Sequence, residues 1–443
     1  MIKRLVVILI AIIGSQTFAQ QGGTASPYSF FGIGSLQFRG TVENRSMGGI
    51  SVYSDSIHIN LRNPAFYTGK NVEASPYNNE SRPVKFAVAG SFNNLSLESA
   101  STSENANASA FDYIALTLPA GRFGIGFGLL PFTSVGYQLE DLSPVSNDLL
   151  FRYEGEGGLN KVFLGTGYQI NNNLRVGVDV NYNFGNIQNS AIEFVYDDEG
   201  NLVQFQTREN NRSDLTGVNF NLGIAYNKKV TEKLELSATA AFSPESNLTS
   251  TNDRSLSTIV INGFTGAEVV QNTIDLNLNN TNLAETDLTL PSRLSFGAGI
   301  GESKHWFVGA EYIAQNTSEF DNPIFSTTNS SFEDASSISI GGFYIPNYNS
   351  FSKYLSRVVY RAGFRVENTG LVVNNESIDE FGISFGLGLP VGKPTGGLFS
   401  EINLGFEYGE RGTTNQNLIR EKFFNFNVSL SLSDRWFQKR KYN

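Results

Sequence analysis

The chain has 443 residues, among them 44 Gly and 35 Phe, with no Cys and a net charge of −10. Without Cys there can be no disulfide, thiol nucleophile or zinc–thiolate site, and 42 acidic against 32 basic residues argue against nucleic acid as a partner. After residue 20 no run of about eighteen apolar residues occurs, which excludes transmembrane helices, and the length fits one large barrel as well as two or three soluble domains.

In chain order, residues 1–19 read as a signal peptide. Lys3 and Arg4 precede an apolar stretch from Leu5 to Ile13, and Thr17-Phe18-Ala19 forms a small-residue cleavage site before Gln20. The expected mature chain then divides into an N-terminal segment (20–83), a barrel (84–433) and a periplasmic tail (434–443), in which Trp436, Phe437 and Lys439 to Lys441 suit a lipid interface.

Residues 20–83 lack the alternation of membrane strands. They pass through Arg45-Ser46-Met47-Gly48-Gly49 to Asn63-Pro64-Ala65. In order, spacing and distance from the signal peptide this segment resembles the N-terminal region of the FadL-like outer membrane proteins, where it folds as a hatch inside the barrel. The resemblance implies that Arg45, Met47, Gly48, Gly49, Asn63 and Pro64 belong to such a hatch. It places the protein in the outer membrane of a diderm bacterium.

From residue 84 onward about fourteen strands are predicted: 84–96, 110–119, 123–137, 158–170, 174–186, 214–227, 232–243, 288–301, 305–316, 337–346, 355–368, 378–390, 397–410 and 421–433. The last three alternate most clearly. Phe381, Ile383, Phe385, Leu387 and Leu389 interleave with Gly and Ser, and Phe424, Phe426, Val428, Leu430 and Leu432 with Asn and Ser. A strand sends alternate side chains to opposite faces, so each has one apolar face and one polar or tiny one. Lipid outside and a wet lumen inside require that arrangement. The predicted fold is therefore all-β, a transmembrane antiparallel barrel of about fourteen strands with an N-terminal hatch inside. Links are expected to be long after odd strands and short after even ones, as external loops and periplasmic turns should be.

The spans carry further expectations. In 110–119, Ile114, Leu116 and Leu118 share one face and Phe111 and Tyr113 the other. Glu98 to Ser109 has nothing to bury and should be mobile. Ile192 to Phe205 reads as a hairpin turning at Asp197 to Asn201, and Ser257 to Leu278 as an extension of the wall above the membrane. Leu174, Val176, Val178, Val180, Tyr182 and Phe184 should meet lipid, while Arg175, Asp179, Asn181 and Asn183 point inward. Arg361, Arg365 and Glu367 should also face the lumen, with Arg293, Glu311, Glu401 and Glu407. Opposite charges there can pair with each other or with the hatch and fill the bore.

No catalytic constellation or cofactor site is visible, and an enzyme is not expected. A Ser–His–Asp arrangement needs a His held by an acid and near a nucleophile, and nothing local supports one at His58 or His305. Asp197-Asp198-Glu199 lacks the ligand spacing of a calcium loop. Gly124, Gly126 and Gly128 alternate on a strand, so they are small lumen-facing residues and not a phosphate loop.

Pro131 interrupts the third strand, and a proline inside a sheet marks a bulge, an edge or a gap in pairing. The FadL-like resemblance implies an inward kink of this strand that opens a lateral gate, with Leu130, Pro131 and Phe132 at the opening. A simple bulge that re-aims the strand accounts for the same residues. Two functions follow from the resemblance. One is passive passage of a small hydrophobic, fatty-acid-like compound. The other is an accessory or scaffold role in a larger outer membrane secretion or assembly machine. The partners implied are outer membrane lipid, a hydrophobic small molecule or other outer membrane proteins, and the barrel-assembly machinery during biogenesis.

Overall fold

The computed structural model describes residues 23–434 apart from 56, 69–83, 101, 144, 263–264, 321–328 and 392–399. The expected signal peptide, the expected tail beyond residue 434 and most of the expected link between the strands 378–390 and 397–410 lie outside the described residues.

One antiparallel sheet closes on itself through fourteen wall strands. They are β1 (Val84–Glu98), β2 (Ser103–Ala120), β3 (Phe123–Pro131 and Thr133–Leu142), β4 (Leu149–Gln169), β5 (Leu174–Glu193), β6 (Gln206–Lys229) and β7 (Leu234–Ser243 and Ser246–Ile261). Then follow β8 (Glu285–Leu290 and Arg293–Glu302), β9 (Trp306–Gln315), β10 (Ala335–Tyr344), β11 (Val359–Val373), β12 (Glu376–Val391), β13 (Ser400–Arg411) and β14 (Arg420–Asp434). The ring shuts where β1 pairs with β14, from Val84↔Asp434 to Glu98↔Arg420. Pro131, Pro244 and Pro291 stand in or beside the interruptions of β3, β7 and β8, where a missing N–H cannot serve the ladder.

The outward face is apolar, as the alternation requires. Val180, Tyr182, Phe220, Ile340, Phe364, Ile383 and Phe385 are exposed, while their inward neighbours Asp179, Asn181, Asn219, Ser339, Arg365 and Ser384 are buried. At one end the links 121–122, 170–173 and 230–233 are short, and the barrel's first and last strands start and finish there. This is the periplasmic end of an outer membrane barrel.

At the other end the strands run further than the sequence suggested. The stretch Glu98 to Ser109, expected to be mobile, is mostly strand: β1 and β2 stay paired out to Glu98↔Ser103. Asn94 donates to Asn107 across the pair at 2.7 Å, and Lys422 and Arg420 hold Glu98 at 2.6 and 3.0 Å. Outside the bilayer a wall strand can be polar on both faces, so alternation is silent there. Likewise Gln138 to Gly157 and Ile187 to Ser213 are largely strand, and the expected loop Pro244 to Asp287 contains the upper part of β7 with a partner strand, Glu268–Asp275. The Ile192–Phe205 segment turns through the Tyr196↔Leu202 bridge, and Asp197 accepts from the backbone of Glu199 and Asn201.

The faces of β2 need a correction. Ala89 pairs with Tyr113 and Gly90 with Phe111, so Asp112 is an extra residue in a bulge. The bulge turns Phe111 outward with Ile114 (44% and 38% exposed) and leaves Asp112 and Tyr113 buried inside.

The core lies inside the ring, between the wall and residues 23–68. Val42, Ile59, Leu61 and Tyr67 pack on Ala87, Tyr113 and Phe163 of β1, β2 and β4. Met47, Ile50 and Val52 pack on Phe307 and Phe343 of β9 and β10. Phe30 and Ile33 rest on Val135, Tyr137 and Leu159 of β3 and β4. Each such side chain contributes about 1.5–3 kcal/mol when fully buried.

Candidate functional site

Residues 23–68, the described part of the segment expected to form the hatch, are short of regular structure and are held by their side chains. Val42–Arg45 forms one helical turn, and Met47-Gly48-Gly49 reverses the chain against β10–β12. Gly48 has φ +71°, a conformation that disfavours a side chain, and a Cβ there would strike the backbone of Phe364. Its N–H donates to Ser384 Oγ at 2.9 Å. Asn63 of the Asn-Pro-Ala motif donates from Nδ2 to the carbonyls of Ile224 (3.0 Å) and Ala240 (3.2 Å), and its Oδ1 accepts from the N–H of Ala65 (3.0 Å). Pro64 lies against Gly177 of β5 and Tyr67 against Gly124 and Gly126 of β3, positions where a wall side chain would collide with the hatch.

Ion pairs tie the hatch to one side of the ring. Arg39 binds Glu367 at 2.6 Å and Glu380 at 3.0 Å. Arg45 reaches Asp112 at 3.4 Å and Asn427 at 2.8 Å. Arg62 pairs with Glu311, which also accepts from the Ser51 N–H at 2.6 Å. Ser26 donates to Glu421. Wall residues knit the same side: Arg365 binds Glu367, Glu380 and Glu407, each at 2.7 Å, Arg361 binds Glu401 at 2.6 Å, and Arg411 binds Glu380. Removing one partner from a buried pair strands a charge, which makes such a network costly to break.

His58 departs from its expected isolation. Its Nδ1 lies 2.7 Å from Asp55 Oδ2 and its Nε2 3.1 Å from Glu401 Oε1, so an acid does hold it, but its second nitrogen meets a carboxylate and not a nucleophile. Burial alone would push the imidazole down; the charges of Asp55, Glu401 and Glu43 outweigh it and hold His58 well above the ordinary 6.5. Burial likewise opposes ionisation of Asp55, yet His58 and Lys85 bring its carboxyl far below the usual range. Lys85 Nζ completes the group by donating to the carbonyls of Asp55 and His58 at 2.6 and 2.8 Å.

The other side of the ring is built differently. β3 pairs with β2 only up to Ile114↔Leu129. Beyond Pro131 its upper segment keeps β4 as a neighbour on one edge, while the other edge takes hatch residues, Ser35↔Ser134 and Leu36↔Thr133. Phe132 sits at the break, donating to Leu159 O at 2.7 Å and accepting from the Gln37 N–H at 2.9 Å. Opposite it, Gly157 and Gly158 take φ of +113° and +137°, which lets β4 bend with the break. Among the described residues the upper part of β2 therefore has no wall partner toward β3. Residue 23 stands between the two edges: a Cβ added to Gly23 would lie 3.7 Å from that of Ala110 on β2 and 3.6 Å from that of Ser134 on β3.

Behind the break is a cavity of about 80 Å³, lined by Leu61, Leu130, Phe132, Phe163, Lys161 and Asp179 among others. Lys161 Nζ stands 4.0 Å from the centre of the Phe132 ring. A second cavity of about 70 Å³ lies between the hatch and β8–β13, with Arg39, Arg45, Arg62, Arg365 and Glu407 on its wall. Arg293 lines both. Arg175 lies over the Phe66 ring at 4.9 Å and binds Asn227, and Asp179 accepts from Asn221 at 3.4 Å. Arg39, Arg62, Asp112, Glu380 and Glu421 were not singled out in the sequence. The only signal for Glu380 was a charge in phase with Gly382 and Ser384; the bulge hid Asp112.

The BamG family pattern matches residues 1–443, the whole chain. The chain belongs to the BamG family. No curated protein matches it. Among solved structures, this BamG-family barrel is similar to the P. putida toluene transporter TodX (15% identity, TM-score 0.55, covering 90% of this chain and 99% of that one). It is also similar to a Pseudomonas aeruginosa FadL homologue (12%, TM-score 0.53, 91% and 100%) and to the CymD monoaromatic hydrocarbon channel (12%, TM-score 0.51, 91% and 99%). At these identities the likeness is one of fold: the BamG-family chain has a FadL-like β-barrel fold.

Proposed function

We propose that the barrel passes a small hydrophobic compound sideways, between the lumen behind β3 and the bilayer, through the gap that opens after Pro131. The observation that carries this reading is the parting of β3 from β2, with hatch residues and not wall completing the barrier. The cavity behind it has apolar walls at Leu130, Phe132 and Phe163. Its volume of about 80 Å³ is below the roughly 300–1,000 Å³ of ligand pockets, so passage requires residues 23–37 to yield. The similar channels are described as carrying toluene and monoaromatic hydrocarbons, and a compound of that kind or a fatty acid is the substrate class to test.

The cysteine-free chain allows a direct test. A Cβ on residue 23 would stand 3.6 Å from that of Ser134, within the range of about 3.5–4.5 Å for a disulfide. The double variant Gly23→Cys, Ser134→Cys should lose uptake of labelled toluene or fatty acid when oxidised and regain it on reduction. Pro131→Val, which restores a ladder donor and a strand-favouring residue, should fold normally and transport less. Uptake indifferent to oxidation, or no faster with the wild-type barrel than without it, would discard passage.

The ion-paired hatch and the tall, exposed rim favour a second reading, that of a closed scaffold subunit in a larger outer membrane machine. Under it, oxidation changes nothing. Deleting 262–276 at the rim would then release a co-purifying outer membrane protein from gentle-detergent preparations.

A further inference from the structure

Among the described periplasmic turns, the link between β10 and β11 is the exception. It runs from Ile345 to Val358 and contains a short 3-10 turn, Tyr354–Arg357. It is not loose: Ile345 donates to His305 O at 2.6 Å, Asn347 to Ser356 O at 2.7 Å, and Val358 is buried. Yet it presents the most exposed large apolar groups near the membrane, Phe351 at 85% and Leu355 at 69%, with Tyr354 at 44%.

Two hydroxyls fix which way these groups face. Tyr360, on the outward face of β11, donates to Leu355 O at 3.1 Å, and Tyr354 donates to Pro390 O on β12 at 3.2 Å. The link is thus drawn over the outer rim, beneath the lipid-facing Tyr344 and Tyr360, which pair directly across β10 and β11. Two cations accompany the apolar groups. Lys353 is exposed, and Arg357 lies 5.3 Å over the Tyr354 ring with its Nε hydrogen unpartnered. Among the described residues neither cation has an ion pair.

We propose that residues 350–357 are a foot that rests in the inner leaflet of the outer membrane, with Phe351 and Leu355 at the acyl boundary and Lys353 and Arg357 at phospholipid phosphates. Aromatic rings at the headgroup level with cations reaching past them are the chemistry of a membrane interface. A segment of this composition seats its apolar side in that zone. Continuity with the lipid-facing wall at Tyr344 and Tyr360 selects lipid over a periplasmic protein as the occupant.

The test uses single cysteines. Phe351→Cys, and as a reference Asn201→Cys in the external turn, are labelled with a polarity-sensitive fluorophore and the barrels reconstituted in vesicles of phosphatidylethanolamine and phosphatidylglycerol. The foot touches the leaflet on its own side in either insertion direction. The label at 351 should be blue-shifted and lose most of its emission when the lipids carry brominated chains, whereas the label at 201 should show neither effect. In Lys353→Gln, Arg357→Gln the quenching at 351 should weaken while the barrel stays folded. A label at 351 that emits as in water and ignores brominated lipid would overturn the proposal and leave this patch to a periplasmic protein.

Discussion

The hatch meets the wall in two ways. Toward β9 and β11–β14 it is charged: Arg39, Arg45, Arg62 and His58 face Glu367, Glu380, Asn427, Glu311 and Glu401. Toward β3–β8 no ion pair joins it to the wall among the described residues: Tyr67 lies against glycines, Asn63 on carbonyls, Phe66 under Arg175, and Phe30 and Ile33 in an apolar cluster, and the Arg62 that lines the cavity there is paired with Glu311 of β9. The break in the wall lies on the neutral side. Neutral contacts can be exchanged for water or lipid at little cost, whereas a buried pair cannot be opened without stranding charge. Under the proposed function, residues 23–68 would stay on the charged side and yield on the other.

The largest expected effect comes from the charged side. Arg365→Ala takes from Glu407 its ion-pair partner among the described residues and leaves Glu367 and Glu380 to Arg39 and Arg411. Breaking a buried pair costs about 3–5 kcal/mol, to be read from urea unfolding of the detergent-solubilised barrel. A loss no greater than that of an exposed-rim variant such as Arg212→Ala would erase the distinction between the two sides.

A smaller effect is expected on the neutral side. Gly126→Val would press on the Tyr67 ring and cost about 1–3 kcal/mol by overpacking. Protease should cut the hatch sooner while the heat-modifiable barrel band remains. If the barrel is lost with the hatch, the neutral side is as binding as the charged one.

The mildest change is with pH. Because His58 is held above 6.5 in the folded protein, its contribution is full below 6.5 and is lost as pH rises through the raised value. Asp55, held low, contributes above the ordinary carboxyl range and loses that share as pH falls. Hatch protection should thus decline toward alkaline pH, and His58→Gln should flatten that limb. An unchanged alkaline limb in the variant would remove His58 from the latch.

Much of the wall was legible because lipid imposes alternation, and Phe381 to Leu389 alternates without a break. Where that constraint ends, so did the reading. Asn94, Asn107 and Glu98 continue a strand with polar residues on both faces, and the extra residue at Asp112 inverts the parity of β2. The lumen was legible residue by residue, since Arg361 and Arg365 fall in phase, but their partners were not. Arg39 meets Glu380 across more than three hundred residues of chain, and no local pattern encodes that.

Arg45 joins β2 through Asp112 to β14 through Asn427, and Val42 donates to Tyr113 on β2. These contacts straddle the line where the first and last strands of the wall meet, the pairing with the longest chain between its ends. Closing that line is the step most burdened by loop entropy. Contacts from the N-terminal segment to both sides of that line would bring the two free edges of an open sheet together before they zip. A chain without residues 23–68 should still form strands but circularise slowly, lingering as an open sheet that pulse-labelling of refolding barrels would reveal.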